Sequence, residues 1–185
     1  FERVAATLDL LRSLGKSYIF RMTATEHTMG RLTENVVFLM DRFRPKTICI
    51  EPLFVCGRCV TSGCQPPSGE SFITDMAKTI TIARNRGVGI QYSGGRLTFL
   101  DTRFCGASGA NFFITPSGDV TSCVEVSDRS DPRADIFMYG SYNSTTGRFD
   151  FDAARFKCLT NLRVQEFESC ADCFARWHCC GDCLA

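Results

Sequence analysis

The sequence predicts an α/β fold in two parts, about three βα units of parallel sheet followed by a small α+β region. Three observations predict it. Helical and strand patterns alternate three times before residue 100, two short β runs flank a Pro-Ser-Gly-Asp turn after it, and cysteines crowd the final stretch. Helix–strand alternation of this kind builds parallel sheets through right-handed crossovers. Three units are too few to close a barrel of eight, so the first part reads as a barrel segment or a small open sheet.

Each element has its own signal. Residues 2 to 14 place Val4, Leu8, Leu10, Leu11 and Leu14 broadly on one helical face, and Gly15 follows as the cap. Ser17 to Thr25 is rich in β-branched and aromatic residues and reads as a strand. Leu32, Val36, Val37, Leu39, Met40 and Phe43 form an apolar stripe at helical spacing that Pro45 must stop. Lys46 to Leu53 is an apolar strand of the kind buried in parallel sheets. A third helix over about 70 to 86 ends at Gly87, and Val88 to Tyr92 is the next strand. Beyond residue 100, Asn111 to Thr115 and Val120 to Val126 form a hairpin around residues 116–119. Polar and small residues dominate 127 to 150, with one short strand candidate at Ile136 to Tyr139, and a short helix near 152 to 160 leads into the tail.

Composition excludes several classes. The 185 residues are 44% hydrophobic and 22% charged with a net charge of +1, which is too apolar for disorder and too neutral to advertise binding to nucleic acid or anionic membrane. No run of about 18 apolar residues marks a membrane span, and nothing at the start resembles a signal peptide. Phe1 in place of Met, and a stop at Ala185 inside what reads as an ordered element, suggest a piece of a longer protein.

Cysteine is the exception to this ordinary composition. Of twelve cysteines none precedes Cys49 and five fall between 170 and 183, a distribution that favours metal or cluster ligation over a disulfide framework and so a reducing cytoplasm. The tail reads Cys170-Ala-Asp-Cys173, five residues, Cys179, three residues, Cys183. Thiolates two residues apart converge when a tight turn brings both sulfurs to one side, and further cysteines complete a zinc site or an iron–sulfur cluster. Upstream, Cys105 is followed after twelve residues by Gly118 and after four more by Cys123. One cysteine thus enters the hairpin, the glycine turns it, and the other returns, so the two sulfurs can face a common centre.

Together, C-x12-G-x4-C, a gap and C-x2-C-x5-C-x3-C resemble the SPASM domain that follows the barrel of radical S-adenosylmethionine enzymes, among them anaerobic sulfatase maturases and ribosomal-peptide maturases. ITPSGDVTSCVE and CADCFARWHCCGDC are similar to that family's two signature segments, RMTATEHTMGRLTENVVFLM to the fifth strand and following helix of its barrel, and TICIEPL to its sixth strand. The resemblance implies that residues 1–102 are the C-terminal part of a radical S-adenosylmethionine partial barrel and 103–185 a C-terminally truncated SPASM domain.

It further implies up to two auxiliary four-iron four-sulfur clusters. The first takes Cys105, Cys123 and Cys183, and the second takes Cys170, Cys173 and Cys179. The family's last cysteine lies beyond the tail, so the second cluster lacks a fourth ligand here. The stretch GASGAN lacks the extra cysteine some relatives carry, leaving the first cluster an open site or a loan from Cys158. Implied partners are a peptide or protein substrate and an electron donor or acceptor such as ferredoxin or flavodoxin, with no nucleic acid and no membrane. The clusters would transfer electrons or bind substrate during post-translational modification. The alternative is a zinc-stabilised binding module without redox chemistry.

The C-x3-C-x2-C triplet that holds the radical cluster is absent, so this piece alone is expected to be inactive, with S-adenosylmethionine bound by the longer parent. Cys56, Cys59 and Cys64, spaced C-x2-C-x4-C, are either a further metal site or unligated thiols. By the family alignment Arg21 faces S-adenosylmethionine, where a guanidinium suits the carboxylate, or else makes a structural ion pair; Glu51 has the same ambiguity. Cys49 reads as a core thiol and Cys180 as a neighbour of the ligands. His27 and His178 are surface or packing residues, with His178 placed to bond a cluster sulfur, and Trp177 shields cluster or core. Arg42, Arg44 and Lys46 read as a solvated helix end.

Overall fold

Pro45, Gly15 and Gly87 punctuate the first half of the chain where the periodicity requires. The computed structural model describes all residues except 56–58, 97–99 and 184–185. Among the described residues the chain is a mixed α/β structure with seven α-helices and two small sheets, neither closed into a barrel. It divides into two compact units, Phe1–Ser93 and Gly94–Ala185.

The first unit runs α1 (Glu2–Ser13), β1 (Phe20–Ala24), a 3-10 turn (Glu26–Thr28), α2 (Leu32–Phe43), β2 (Thr47–Pro52), the short α3 (Cys59–Ser62), α4 (Gly69–Asn85) and β3 (Gly89–Gln91). The strands lie in the order β1-β2-β3, all parallel. Helix α2 stops two residues before Pro45, with Arg44 in the left-handed region at φ 52°. Gly15 and Gly87, at φ 65° and 71°, turn the chain out of α1 and α4. Ser68 caps α4, its hydroxyl accepting from the Ser71 N–H at 3.2 Å.

Strand alternation divides the sheet into unlike faces. Even positions meet α2 and α4: Ile48 and Ile50 are wholly buried among Leu32, Val36, Phe72 and Met76. Odd positions carry Arg21, Thr23, Cys49, Glu51 and Gln91, with Arg21 registered on Cys49 and Thr23 on Glu51. The apolar stripe read in α1 is mostly not covered. Only Leu8 is buried, while Val4, Leu10 and Leu14 are 58–61% exposed, so the amphipathic pattern that forms the helix overstates what it buries.

In the second unit β4 (Phe113–Ile114), β5 (Asp119–Thr121), β6 (Met138–Asn143) and β7 (Arg148–Phe151) make an antiparallel sheet in that order. Helices α5 (Ala134–Phe137), α6 (Ala153–Asn161) and α7 (Arg176–Cys179) complete it. Val120, Val126, Phe137, Met138 and Leu159 form its core. The hairpin β4–β5 turns through Pro116 and Ser117, with the Gly118 N–H bonded to the Thr115 carbonyl at 2.9 Å and Gly118 at φ 85°. A side chain at Gly118 would also press on Tyr142 Cβ, 3.3 Å from the position of its Cβ.

Two expectations change here. The apolar run at 136–139 is half helix, since α5 ends at Phe137 and β6 begins at Met138. The polar stretch up to residue 150 hides a second hairpin, β6–β7, turned by Asn143, whose side-chain oxygen accepts from the N–H groups of Thr145 and Thr146. Residues ahead of the 100–104 pattern change are tied to the tail. Arg96 and Asp101 N–H groups donate to the carbonyls of His178 and Trp177, each at 3.1 Å, and the Val164 N–H donates to Thr102 at 2.8 Å.

Candidate metal centre

Cys123 stands just beyond the first hairpin, and Cys105 and Cys183 lie near enough to act on its charge. Cys123 lies two residues beyond β5, buried, with its N–H bonded to the Thr121 hydroxyl at 3.2 Å. Burial pushes its thiol pKa up, and the nearby sulfurs of Cys183 and Cys105 push it in the same direction, while the backbone amides of Glu125 and Val126 oppose them. Cys105 and Cys183 therefore lie within electrostatic reach of Cys123. The Ala107 N–H points at Cys105 Sγ, 3.4 Å away, the kind of amide–sulfur bond that tunes a thiolate-held cluster.

Cys183 reaches this place through unusual backbone. Cys180, Gly181 and Asp182 are all left-handed, at φ 60°, 89° and 65°. Two of the three carry side chains, for which this conformation is strained, and such runs persist only where their surroundings hold them. Gly181 permits the close passage: a Cβ there would stand 2.6 Å from the Phe167 ring. The Cys183 N–H donates to the Asp182 carboxylate at 2.7 Å.

Cys170 and Cys173 share one turn, the Cys173 N–H bonding the Cys170 carbonyl at 3.3 Å, and Cys179 closes α7 with its N–H on the Ala175 carbonyl at 2.8 Å. Cys170 and Cys179 are half-buried and Cys173 is exposed. Cys158 is exposed on α6. Every described cysteine is a free thiol.

Among the described residues no three His, Cys, Asp or Glu side chains stand close enough to hold a single metal ion. The thiolates of a cluster each take a different iron and so stand farther apart than the ligands of one zinc. Cys105, Cys123 and Cys183 fit a cluster in donor chemistry, with Cys105 and Cys183 near enough to raise the Cys123 thiol pKa. Cys170, Cys173 and Cys179 fit it in donor chemistry.

Arg96 is a residue to which the sequence offered no pointer. Its guanidinium donates to the Arg103 carbonyl at 2.9 Å and to the buried Cys180 sulfur at 3.5 Å. Its carbonyl meets His178 Nδ1 at 2.7 Å, so that ring nitrogen bonds backbone and not sulfur. Burial pushes the Cys180 thiol pKa up, the Arg96 charge opposing it. Trp177 is 38% exposed and stacks under Arg176.

In the first unit Glu51 is a buried carboxylate accepting from the Ser93 N–H and hydroxyl at 3.1 and 2.7 Å and from the Cys49 thiol at 3.1 Å. Burial and this carboxylate push the Cys49 thiol up to about 11, with the Arg21 charge opposing. Arg21 is exposed on β1 and makes no ion pair among the described residues. His27 is exposed, and Arg42 pairs with Asp9 at 2.6 Å across α1 and α2. The Cys59 thiol points to the Cys64 carbonyl at 3.6 Å, and Cys56 lies outside the described residues.

Compared with models of known protein families and with characterised proteins, the chain matches none.

Proposed function

We propose that the chain is the C-terminal part of a radical S-adenosylmethionine maturase of the SPASM class, its first unit a barrel segment and its second the auxiliary-cluster domain. The observation that carries the reading is the cysteine spacing C-x12-G-x4-C followed by C-x2-C-x5-C-x3-C, with Cys105 and Cys183 both near enough to Cys123 to push its thiol pKa up. Cys105, Cys123 and Cys183 would hold one four-iron four-sulfur cluster, and Cys170, Cys173 and Cys179 the second. A bound cluster supplies one-electron transfer or an open iron for substrate. The chain's own residues do the rest. The left-handed run delivers Cys183, the Ala107 amide directs a hydrogen bond at Cys105, and Arg96 with His178 pins the tail to the segment behind it.

On the odd face of the parallel sheet, Arg21 is the candidate for the carboxylate of S-adenosylmethionine in the longer parent, and the substrate is a peptide or protein handled in a reducing cytoplasm. No described helix is long and apolar enough to cross a membrane.

The test is iron, labile sulfide and zinc per chain after strictly anaerobic preparation, with an optical spectrum of the same sample. Iron with matching sulfide and broad absorption near 400 nm, roughly as thiolate-bound clusters give, is the expected result. Iron lost in Cys123→Ser but retained in Cys158→Ser places the first site. Stoichiometric zinc without sulfide overturns the redox reading in favour of a zinc-stabilised binding module.

A further inference from the structure

The first hairpin has an open side. Strand β4 is an edge of the four-stranded sheet. In its register Phe113 pairs with Thr121 and Ile114 with Val120, and the Thr115 N–H bonds the Asp119 carbonyl at 2.9 Å. Antiparallel pairs alternate between bonded and non-bonded. Thr115–Asp119 and Phe113–Thr121 are therefore the bonded pairs, and the N–H and C=O of Ile114 point outward from the sheet. An unpaired rung on an edge strand is a template for another extended backbone.

The side chains beside this rung form a groove of about 360 Å³ lined by Phe112, Ile114, Pro116, Thr121, Val124 and Ser127. Among the described residues no charged side chain lines it. Phe112, Ile114 and Val124 are 49%, 54% and 67% exposed, an apolar group larger than scattered surface residues need be. Among the described residues none of the usual protections of an edge is present at the rung, neither a lysine nor an inward charge, and Pro116 stands past the strand's end.

From this we infer that β4 is a docking edge for an extended peptide, which adds a strand through the Ile114 rung and seats an uncharged apolar side chain in the groove. Backbone pairing supplies the affinity and the groove the selectivity for the alternate side chain. A second copy of the chain is the poorer occupant. A stable interface buries roughly 1,200–2,000 Å² in total, whereas the strand here is two residues long and the groove takes one or two side chains. The inference is independent of the cysteines and stands or falls without them.

The test uses the full chain and two fluorescein-labelled heptapeptides of alternating valine and threonine, one with ordinary peptide bonds and one N-methylated at every bond. Binding is read by fluorescence anisotropy, and hydrogen exchange is read at the Ile114 amide. The ordinary peptide is expected to bind and to slow Ile114 exchange by about tenfold or more at saturation, the methylated one to do neither. Ile114→Lys and Val124→Asp, both at exposed positions, are expected to weaken binding by about tenfold each. Equal binding of the methylated peptide, or binding without protection of Ile114, overturns the proposal. Protection that grows with protein concentration in the absence of peptide overturns it too, in favour of self-association. Protection by peptide in a chain that contains zinc and no sulfide keeps the docking edge while the cluster reading fails.

Discussion

Ile48 and Ile50, sealed between β2 and two crossing helices, and Cys183, hung on a run of left-handed backbone, belong to regions ordered by different means. The parallel sheet is held by burial of branched and aromatic side chains in regular elements, each of which the chain's periodicity favours on its own. From Val164 to Cys183 the tail buries only Val164 and Cys180 and proceeds through 3-10 turns, a four-residue helix and backbone bonds to residues 96–102. Burial is non-directional and tolerant of small shifts, whereas a string of turns transmits every backbone error to the sulfur at its end. The first region suits a scaffold, and the second suits the placing of thiols.

The sharpest way to break this contrast is to remove core volume. Ile50→Ala is expected to cost about 2–5 kcal/mol in urea unfolding, with metal content per folded chain unchanged; a coincident loss of metal means the two regions are not separable. Gly181→Ala is the reverse experiment. A left-handed alanine against the Phe167 ring should cost about 1–3 kcal/mol in the tail, seen as faster proteolysis between residues 164 and 183 and lower metal content, with the first unit's unfolding midpoint unmoved.

Smaller effects come from titration. The Cys49 thiol is raised from 9 to about 11, so at pH 8 its thiolate fraction and its alkylation rate should fall about a hundredfold below an ordinary thiol. The raised value means the folded state holds the proton more tightly. Its stabilising contribution is whole below about pH 9 and drains away as pH climbs through 11, and Cys49→Ser should flatten that part of the stability curve. The smallest expected effect is at Asp131. The Arg133 side chain and N–H hold its carboxyl at about 2, so the contribution is present above the ordinary carboxylate range and lost as pH falls through 2. Asp131→Asn should remove this acid limb and leave the neutral range unchanged.

Much of the first unit was legible because its signals are local. Pro45 ends α2 and Gly15 and Gly87 turn the chain, whereas Cys49, read as a core thiol within an apolar strand, is set by the alternation in TICIEP on the Glu51 face, half-buried and apart from Ile48 and Ile50. The turn at Gly118 was equally plain. The hairpin β6–β7 was not, because Arg148-Phe-Asp-Phe151 alternates over only four residues inside a polar stretch, and its pairing with β6 supplies the stabilisation that composition does not display. At the candidate site the cysteine spacing named possible ligands, but no local pattern pointed to Arg96, whose partners include Asp101 and Arg103 nearby and His178 and Cys180 in the tail. Nor could spacing tell that Glu51 is satisfied by Ser93 and Cys49 while Arg21 stands apart.

The nearness of Cys105, Cys123 and Cys183 has a consequence for how the molecule is made. The first two lie on either side of the first hairpin and come together by a short closure, while the third returns across nearly the whole second unit, a long closure that raises the entropic barrier and slows assembly. During synthesis the hairpin thiols emerge first and wait for Cys183. In that interval both thiols are open to oxidants, so the order of translation leaves them exposed until the tail has folded back.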